Sequence, residues 1–479
     1  MNNALIYSIH RLHDWWRHIG DHLGCESVTV LSDQRGKGDL AVNDAFYAAF
    51  RRYGVTPAAQ SDLLSAAEVD DVIARCRVLR WLPRRRATAM ALAMAEAMDN
   101  ALETVRPDVC ISFPIDSYVS DVLARRARAR DIPYFEVTAS ALPKMSMLMH
   151  RGRLITAEAR PGPEAVEARV REIADPLFTP AYVQGQPAYT TARFYRTLAY
   201  FRLRAAAFKA LSWIKGDPLN LHYLDAQPSL GHKARWRDAR IAGLVDADWE
   251  ARMERFPKDR RVLFGLQLFP EAAIDYWIED RALVEHETML IEVARLLTGA
   301  GFQIVVKDHP LQFGFRQTHL LDALRALPNV VVVPYEVSGN AMLSRCGVSV
   351  TATGTLGLQA ALLGNISVVG EAYYVTADDF VVTRTWGDLA DLPRTLVERS
   401  PPADLPKRQA RIIENLLRGS FDADFFSFKD FDPARPDPAA AELGRQLGKR
   451  IRALGPDGED WHGRFMPRDG GRHDGSPLN

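Results

Sequence analysis

Phe302-Gln303-Ile304-Val305-Val306-Lys307-Asp308-His309-Pro310 sets an apolar run, of the kind that forms a buried strand, directly before a polar turn. Further along, Val348-Ser349-Val350-Thr351 runs into Ala352-Thr353-Gly354-Thr355-Leu356-Gly357-Leu358-Gln359-Ala360-Ala361-Leu362-Leu363-Gly364. Both stretches read as strand, polar turn, helix. In an open α/β sheet, ligands bind beyond the carboxyl ends of the strands. The second turn aims the N–H groups of a helix start at an anion, and the helix dipole adds to the field. The first supplies the cation of Lys307 and the imidazole of His309, stiffened by Pro310. Taken alone, the first could be a surface turn with a solvated lysine and a capped histidine, and the second a tight strand-to-helix turn. The pair predicts a cradle for a diphosphate or a nucleotide phosphate, held by charge-assisted hydrogen bonds.

Working outward, the pattern Val262–Leu266, Leu283–Leu297, Gln303–Val306, Val330–Val333, Val348–Thr351 and Ser367–Val369 alternates strand and helix through residues 256–400. Residues 1–160 alternate in the same way. Leu5–Ile9, Ser27–Leu31, Val109–Phe113 and Pro133–Val137 read as strands, with helices over Asp14–Leu23 and Tyr118–Arg130. Such alternation predicts parallel sheets covered by helices. Residues 161–255 lack it and predict a helical connecting region. Residues 401–452 predict C-terminal helices, and 453–479 carry few apolar residues and predict a disordered tail.

The bulk properties exclude several classes. The chain has 479 residues, enough for about three domains at roughly 150 residues each. Lys plus Arg equals Asp plus Glu at 60 each, so no net charge points to nucleic acid. Cys25, Cys76, Cys110 and Cys346 are scattered, which predicts free thiols in a reducing cytoplasm. The start of the chain lacks a signal pattern, and no apolar run approaches the length of a membrane span.

Other candidate site residues follow from position. Gln267 and Glu271 sit just past the first strand of the second half. They are placed to read a base or sugar, or else simply to start a helix with Pro270 at its first turn. Gln359 lies one helical turn beyond Thr355 and is placed to bond a ribose hydroxyl. Asp116 follows the strand ending at Phe113 and is either a general base or the N-cap of the next helix. His10, His13 and Asp14 follow the first strand and can line the same edge; Asp33 and Asp39 are weaker candidates there. His18 and His22 have metal-ligand spacing but no third ligand, so no metal site is expected. The pairs Asp246/Asp248 and Asp422/Asp424 follow no clear strand and are discounted. Between Thr191 and Gly216 six cations interleave with aromatics and no acid. That is either a membrane-surface helix or a helix that packs its aromatics inward and shows arginine to water.

At these residues the chain resembles the bacterial capsule polysaccharide biosynthesis family. The matching features are Leu263–Glu271, the Lys-x-His-Pro turn at Lys307–Pro310, the Thr-Gly-Thr-x-Gly helix start at Thr353–Ala360 and the small-residue strand Ser367–Gly370. The first half is only loosely similar, through Pro107-Asp108-Val109 and Ile132-Pro133-Tyr134. The resemblance implies an α/β, GT-B-like fold: two Rossmann-type domains facing a cleft, with a helical connecting region. It implies a nucleotide-sugar donor held by the second domain through Lys307, His309, Thr353, Gly354 and Thr355. The first domain would present a glycan or glycolipid acceptor. Where the family has Glu before Ala, contacting the donor nucleotide, this chain has Gln359, an amide that accepts fewer protons. The expected function is glycosyl transfer in building a surface polysaccharide, with no cofactor. The family includes β-Kdo transferases. A sugar-nucleotide epimerase of the UDP-N-acetylglucosamine 2-epimerase type and a non-catalytic assembly subunit are the alternatives.

Overall fold

The computed structural model describes residues 1–9, 12–55, 62–175, 178, 189–219, 221, 233–268 and 271–454. His10, Phe269, Pro270 and the 455–479 tail lie outside them. The strands are β1 (Asn3–Ser8), β2 (Ser27–Ser32), β3 (Leu40–Ala41), β4 (Val109–Ser112), β5 (Tyr134–Ala139), β6 (Ser146–His150), β7 (Arg153–Leu154), β8 (Arg261–Gly265), β9 (Gln303–Lys307), β10 (Val330–Val332), β11 (Val348–Thr351), β12 (Ile366–Val369), β13 (Val381–Val382) and β14 (Ser420–Phe421).

They form two sheets. The second runs β10-β9-β8-β11-β12-β13, parallel throughout. In chain order this is 3-2-1-4-5-6, the order of a dinucleotide-binding Rossmann sheet. The first runs β3-β2-β1-β4-β5-β6-β14. Its first six strands repeat that order, with β6 antiparallel to β5. The protein is therefore α/β and GT-B-like, with two Rossmann-type sheets. Each sheet has one point where consecutive connections leave in opposite directions, between β1 and β4 and between β8 and β11. Ligands of such sheets bind there.

Composition explains the second sheet. β9, β11 and β12 are near-continuous Val/Ile runs, buried along their whole length as strands covered on both faces must be. Helices Thr355–Leu362 and His286–Gly299 pack against them. The first of these comes close because of Gly357: a Cβ there would lie 2.6 Å from Val369 Cγ1 and 2.7 Å from the Tyr374 hydroxyl. The single helix expected over Leu283–Leu297 is broken at Glu285 into a helical turn, Arg281–Val284, and the helix His286–Gly299.

Two devices join the halves. Arg75, at the end of helix Ala66–Arg75, donates from Nη1 to Asp275 O (2.9 Å) and Ile278 O (2.6 Å), and from Nη2 to Glu279 O (2.8 Å). It thereby satisfies carbonyls at the end of the short helix Ala272–Trp277. Arg77 and Arg80 pair with the fully buried Asp275 carboxylate. The second device is the chain's return. After helix Leu405–Gly419, β14 pairs with β6 and the helix Pro438–Ala453 lies on His13–Asp21. Gly448 allows this, since a Cβ there would sit 2.0 Å from Leu23 O.

Candidate functional site

At the β8/β11 switch point the side chain of Gln267 is the centre of the geometry. Its Oε1 accepts from Thr353 N (2.8 Å) and from Thr351 Oγ1 (3.2 Å). Its Nε2 donates to Thr353 Oγ1 (2.9 Å) and to the Glu271 carboxylate (3.1 Å). Its backbone carbonyl accepts from Arg316 Nη2 (2.9 Å), and Arg316 Nε donates to Asp308 Oδ1 (2.8 Å). Asp308 Oδ1 in turn accepts from His309 N (2.8 Å). One residue thus fastens the β9 turn and the β11 turn to the β8 exit between them. The amide expected to read a base or sugar is engaged within the protein.

Asp308 is the anchor of the Lys-Asp-His-Pro turn. It is buried and also accepts from the Tyr335 hydroxyl. His309 is half-buried, and its Nδ1 accepts from Leu311 N (3.1 Å), capping the turn Pro310–Gln312. Burial lowers its pKa to about 4. The ring is therefore neutral near pH 7, with its proton on Nε2, and the imidazole offers a neutral N–H. Lys307 is buried, and its Nζ donates to Asp308 O (2.8 Å) and Tyr335 O (3.2 Å). Burial lowers its pKa to about 8. Its ammonium is held by these carbonyls, unlike the solvated or ligand-facing cation expected from sequence.

Thr353 is buried, and Gly354 is the N-cap of helix Thr355–Leu362, with no side chain capping it. Tyr374 fixes the turn by donating to Gly354 O (2.6 Å). Gln359 Nε2 donates to Phe178 O at 3.3 Å. Burial raises the Glu271 carboxyl to about 7, against the pull of Gln267 and Arg77.

The β1/β4 switch point carries a second cluster. Ser8 ends β1, and its Oγ lies 3.0 Å from Nδ1 of the buried His13. Tyr7 donates to Asp33 Oδ2 (3.1 Å) past the end of β2. Asp116 is buried beyond β4, where its charge adds to burial in raising the pKa of Tyr7, Tyr134 and Glu136. Asp116 is not the cap of helix Tyr118–Arg128. Ser117 is, accepting from Ser120 N. Asp14 is exposed in the first turn of its own helix. Asp39 is taken up by Val30 N (2.7 Å) and Arg17, Asp246 by Val332 N (2.7 Å) and Arg252, and Asp424 caps Phe425–Lys429. His18 Nε2 lies 3.1 Å from Asp437 O.

Glu136 was not anticipated. It is fully buried in β5, accepting from Ile115 N (3.0 Å) and Arg151 N (2.6 Å), and burial raises it to about 7. The signal was present: a lone acid inside the apolar run Tyr134-Phe135-Glu136-Val137. Arg316 gave no such signal, because its partners Asp308, Glu287 and Gln267 are joined to it only by the fold.

The geometry defines an α/β protein with two Rossmann-type sheets, each with one switch point in its strand order. Residues 232–378, which hold β8 to β12 and both turns, match the family model for capsule polysaccharide biosynthesis proteins. Comparison with curated proteins gives no match. Among solved structures, the chain is similar to two KpsC proteins of Thermosulfurimonas dismutans. With the β-Kdo 2,4 transferase it shares 14% identity over 64% of this chain and 79% of the other, at a TM-score of 0.31. With the β-Kdo 2,7 transferase the figures are 10%, 94%, 100% and 0.33. The UDP-GlcNAc 2-epimerase of Methanocaldococcus jannaschii, solved with UDP-GlcNAc and UDP, gives 11%, 88%, 100% and 0.27.

Proposed function

We propose that the protein is a glycosyltransferase that acts in the cytoplasm. It moves a sugar from a nucleotide-sugar to a capsular or other surface polysaccharide, or to its lipid-linked precursor. The observation that carries this reading is the Gln267 link, which holds the His309 turn and the Thr353-Gly354-Thr355 turn at one switch point within the capsule-family segment. His309 Nε2–H and the N–H groups at the start of helix Thr355–Leu362 donate to the phosphate that departs with the nucleotide. Its growing negative charge is where fixed donors lower the barrier. Asp116, from the other sheet, takes the proton of the acceptor hydroxyl as that oxygen attacks the sugar carbon.

A thermal-shift series with CMP, UDP, GDP, dTDP and their sugars tests the donor half. A ligand present at a hundred times its Kd stabilises a protein by about 2.7 kcal/mol. One nucleotide class is expected to raise the melting temperature, and a flat response across all four overturns the reading. Conversion of the stabilising nucleotide-sugar without any acceptor would favour the epimerase instead.

A further inference from the structure

Helix Thr191–Ile214 presents two apolar faces. The inner face packs: Phe194 and Leu198 are buried, Phe194 meets Phe313 at 6.0 Å between ring centroids, and Phe201 meets Phe315 at 4.3 Å. The outer face is not covered by the described residues. Tyr200, Leu203, Ala207, Leu211 and Ile214 recur at three- and four-residue spacing, so they form one stripe, and all are exposed. Leu203 is 73% exposed and Ile214 80%, with Trp213 beside the stripe at 76%. The sequence reading in which the aromatics turn inward and only arginine meets water therefore holds for one face of the helix and fails for the other.

We propose that this face docks on an anionic lipid membrane. No helix among the described residues is long and apolar enough to cross a membrane, but a helix lying in the interface needs what this one has. It needs an apolar stripe flanked by cations. Arg196, Arg204 and Lys215 stand one helical turn from stripe residues, and no acid lies between Thr191 and Gly216. Charge separates this occupant from a second copy of the chain. A two-fold dimer through the stripe would bring Arg196, Arg204 and Lys215 against their own copies, a like-charge contact that costs binding energy. The location suits a lipid-borne substrate. The inner face rests on Phe313, shortly after His309 in the β9 turn. Beyond the helix, Asp217 bonds the Tyr47 hydroxyl of the first half. The inference is independent of the donor chemistry.

Co-sedimentation of the full chain with vesicles tests it. Pelleting is expected with phosphatidylglycerol-containing vesicles at low salt, and not with phosphatidylcholine alone or at high salt. Arg204→Gln with Lys215→Gln should weaken it roughly fivefold per charge. Leu203→Glu with Ile214→Glu should weaken it at least tenfold, with melting temperature and nucleotide-induced thermal shift unchanged. If that pair unfolds the protein, Trp213→Ser serves in its place. Absence of pelleting at low salt overturns the proposal. So does pelleting that ignores all these variants, or a dimer in sedimentation velocity that Leu203→Glu dissociates.

Discussion

Gln267 and Thr353 are joined twice, by Nε2 donating to Thr353 Oγ1 at 2.9 Å and by Oε1 accepting from Thr353 N at 2.8 Å. These bonds cross the β8/β11 switch point, where the doubly wound order opens a crevice. The residue that best explains the shape of this edge is thus one that the crevice's own walls occupy. Its backbone carbonyl extends the connection through Arg316 to Asp308 and the His309 turn.

Gln267→Leu tests that role. It keeps most of the volume but leaves the buried Thr353 N–H and hydroxyl without their partner. An orphaned buried polar group costs about 1–3 kcal/mol. The denaturant midpoint should fall accordingly, and nucleotide affinity should fall with it, because the Thr353-Gly354-Thr355 turn loses its brace. Unchanged stability would show that the brace contributes nothing.

His309 is expected to act as a neutral donor. His309→Ala should weaken nucleotide-sugar binding by about 1.5–3 kcal/mol, the range for a hydrogen bond to a charged acceptor. Since burial puts the ring's pKa at about 4, the affinity difference between the parent and the alanine variant should stay level between pH 6 and 8. Calorimetry across that range checks both statements. A step in affinity near pH 6.5 that the alanine variant abolishes would mean that the imidazolium binds.

Glu271 gives a pH dependence of stability. Burial raises its carboxyl from 4.5 to about 7. Between those values the folded chain holds a proton that the unfolded chain releases. The contribution is therefore fully present below pH 4.5 and is lost as pH rises through 7. Glu136 is raised in the same sense, so the decisive quantity is a difference between proteins. Glu271→Gln should flatten the fall in melting temperature from pH 5 to 8 relative to the parent. Parallel curves would place the titration elsewhere.

Much of this was legible in the sequence, and the reasons are physical. The Val/Ile runs of β9, β11 and β12 announce strands buried on both faces. A polar turn after β9 and another after β11 mark the edge expected to bind a ligand. What stayed hidden are features set by tertiary contact. Two-residue strands such as β3 and β14 have no period to read. The helix Arg84–Val105 owes its burial to a run of Ala and Met with no sharp polar face. The orientation of Lys307 depends on Tyr335 O, which only the fold brings near. Likewise, the sequence reading offers Asp116 as the cap of helix Tyr118–Arg128, whereas the fold gives that place to Ser117.

That last assignment sharpens the test of catalysis. An acceptor hydroxyl has a pKa far above 7, so attack on the sugar carbon needs a base within hydrogen-bond reach. Asp116 is buried at the β1/β4 switch point, and the helix that follows is capped without it. Asp116→Asn should therefore retain donor binding and lose transfer by on the order of 10²-fold or more. Its melting temperature should change little, because no cap is removed. Ser117→Ala should do the reverse. It removes the cap and costs about 1 kcal/mol of stability, while turnover persists in the folded fraction. Measuring melting temperature and turnover on the same preparations separates the two roles. Normal turnover in Asp116→Asn would move the base to His13, which is buried 3.0 Å from Ser8 on the same edge, and His13→Gln would then be the variant that loses transfer.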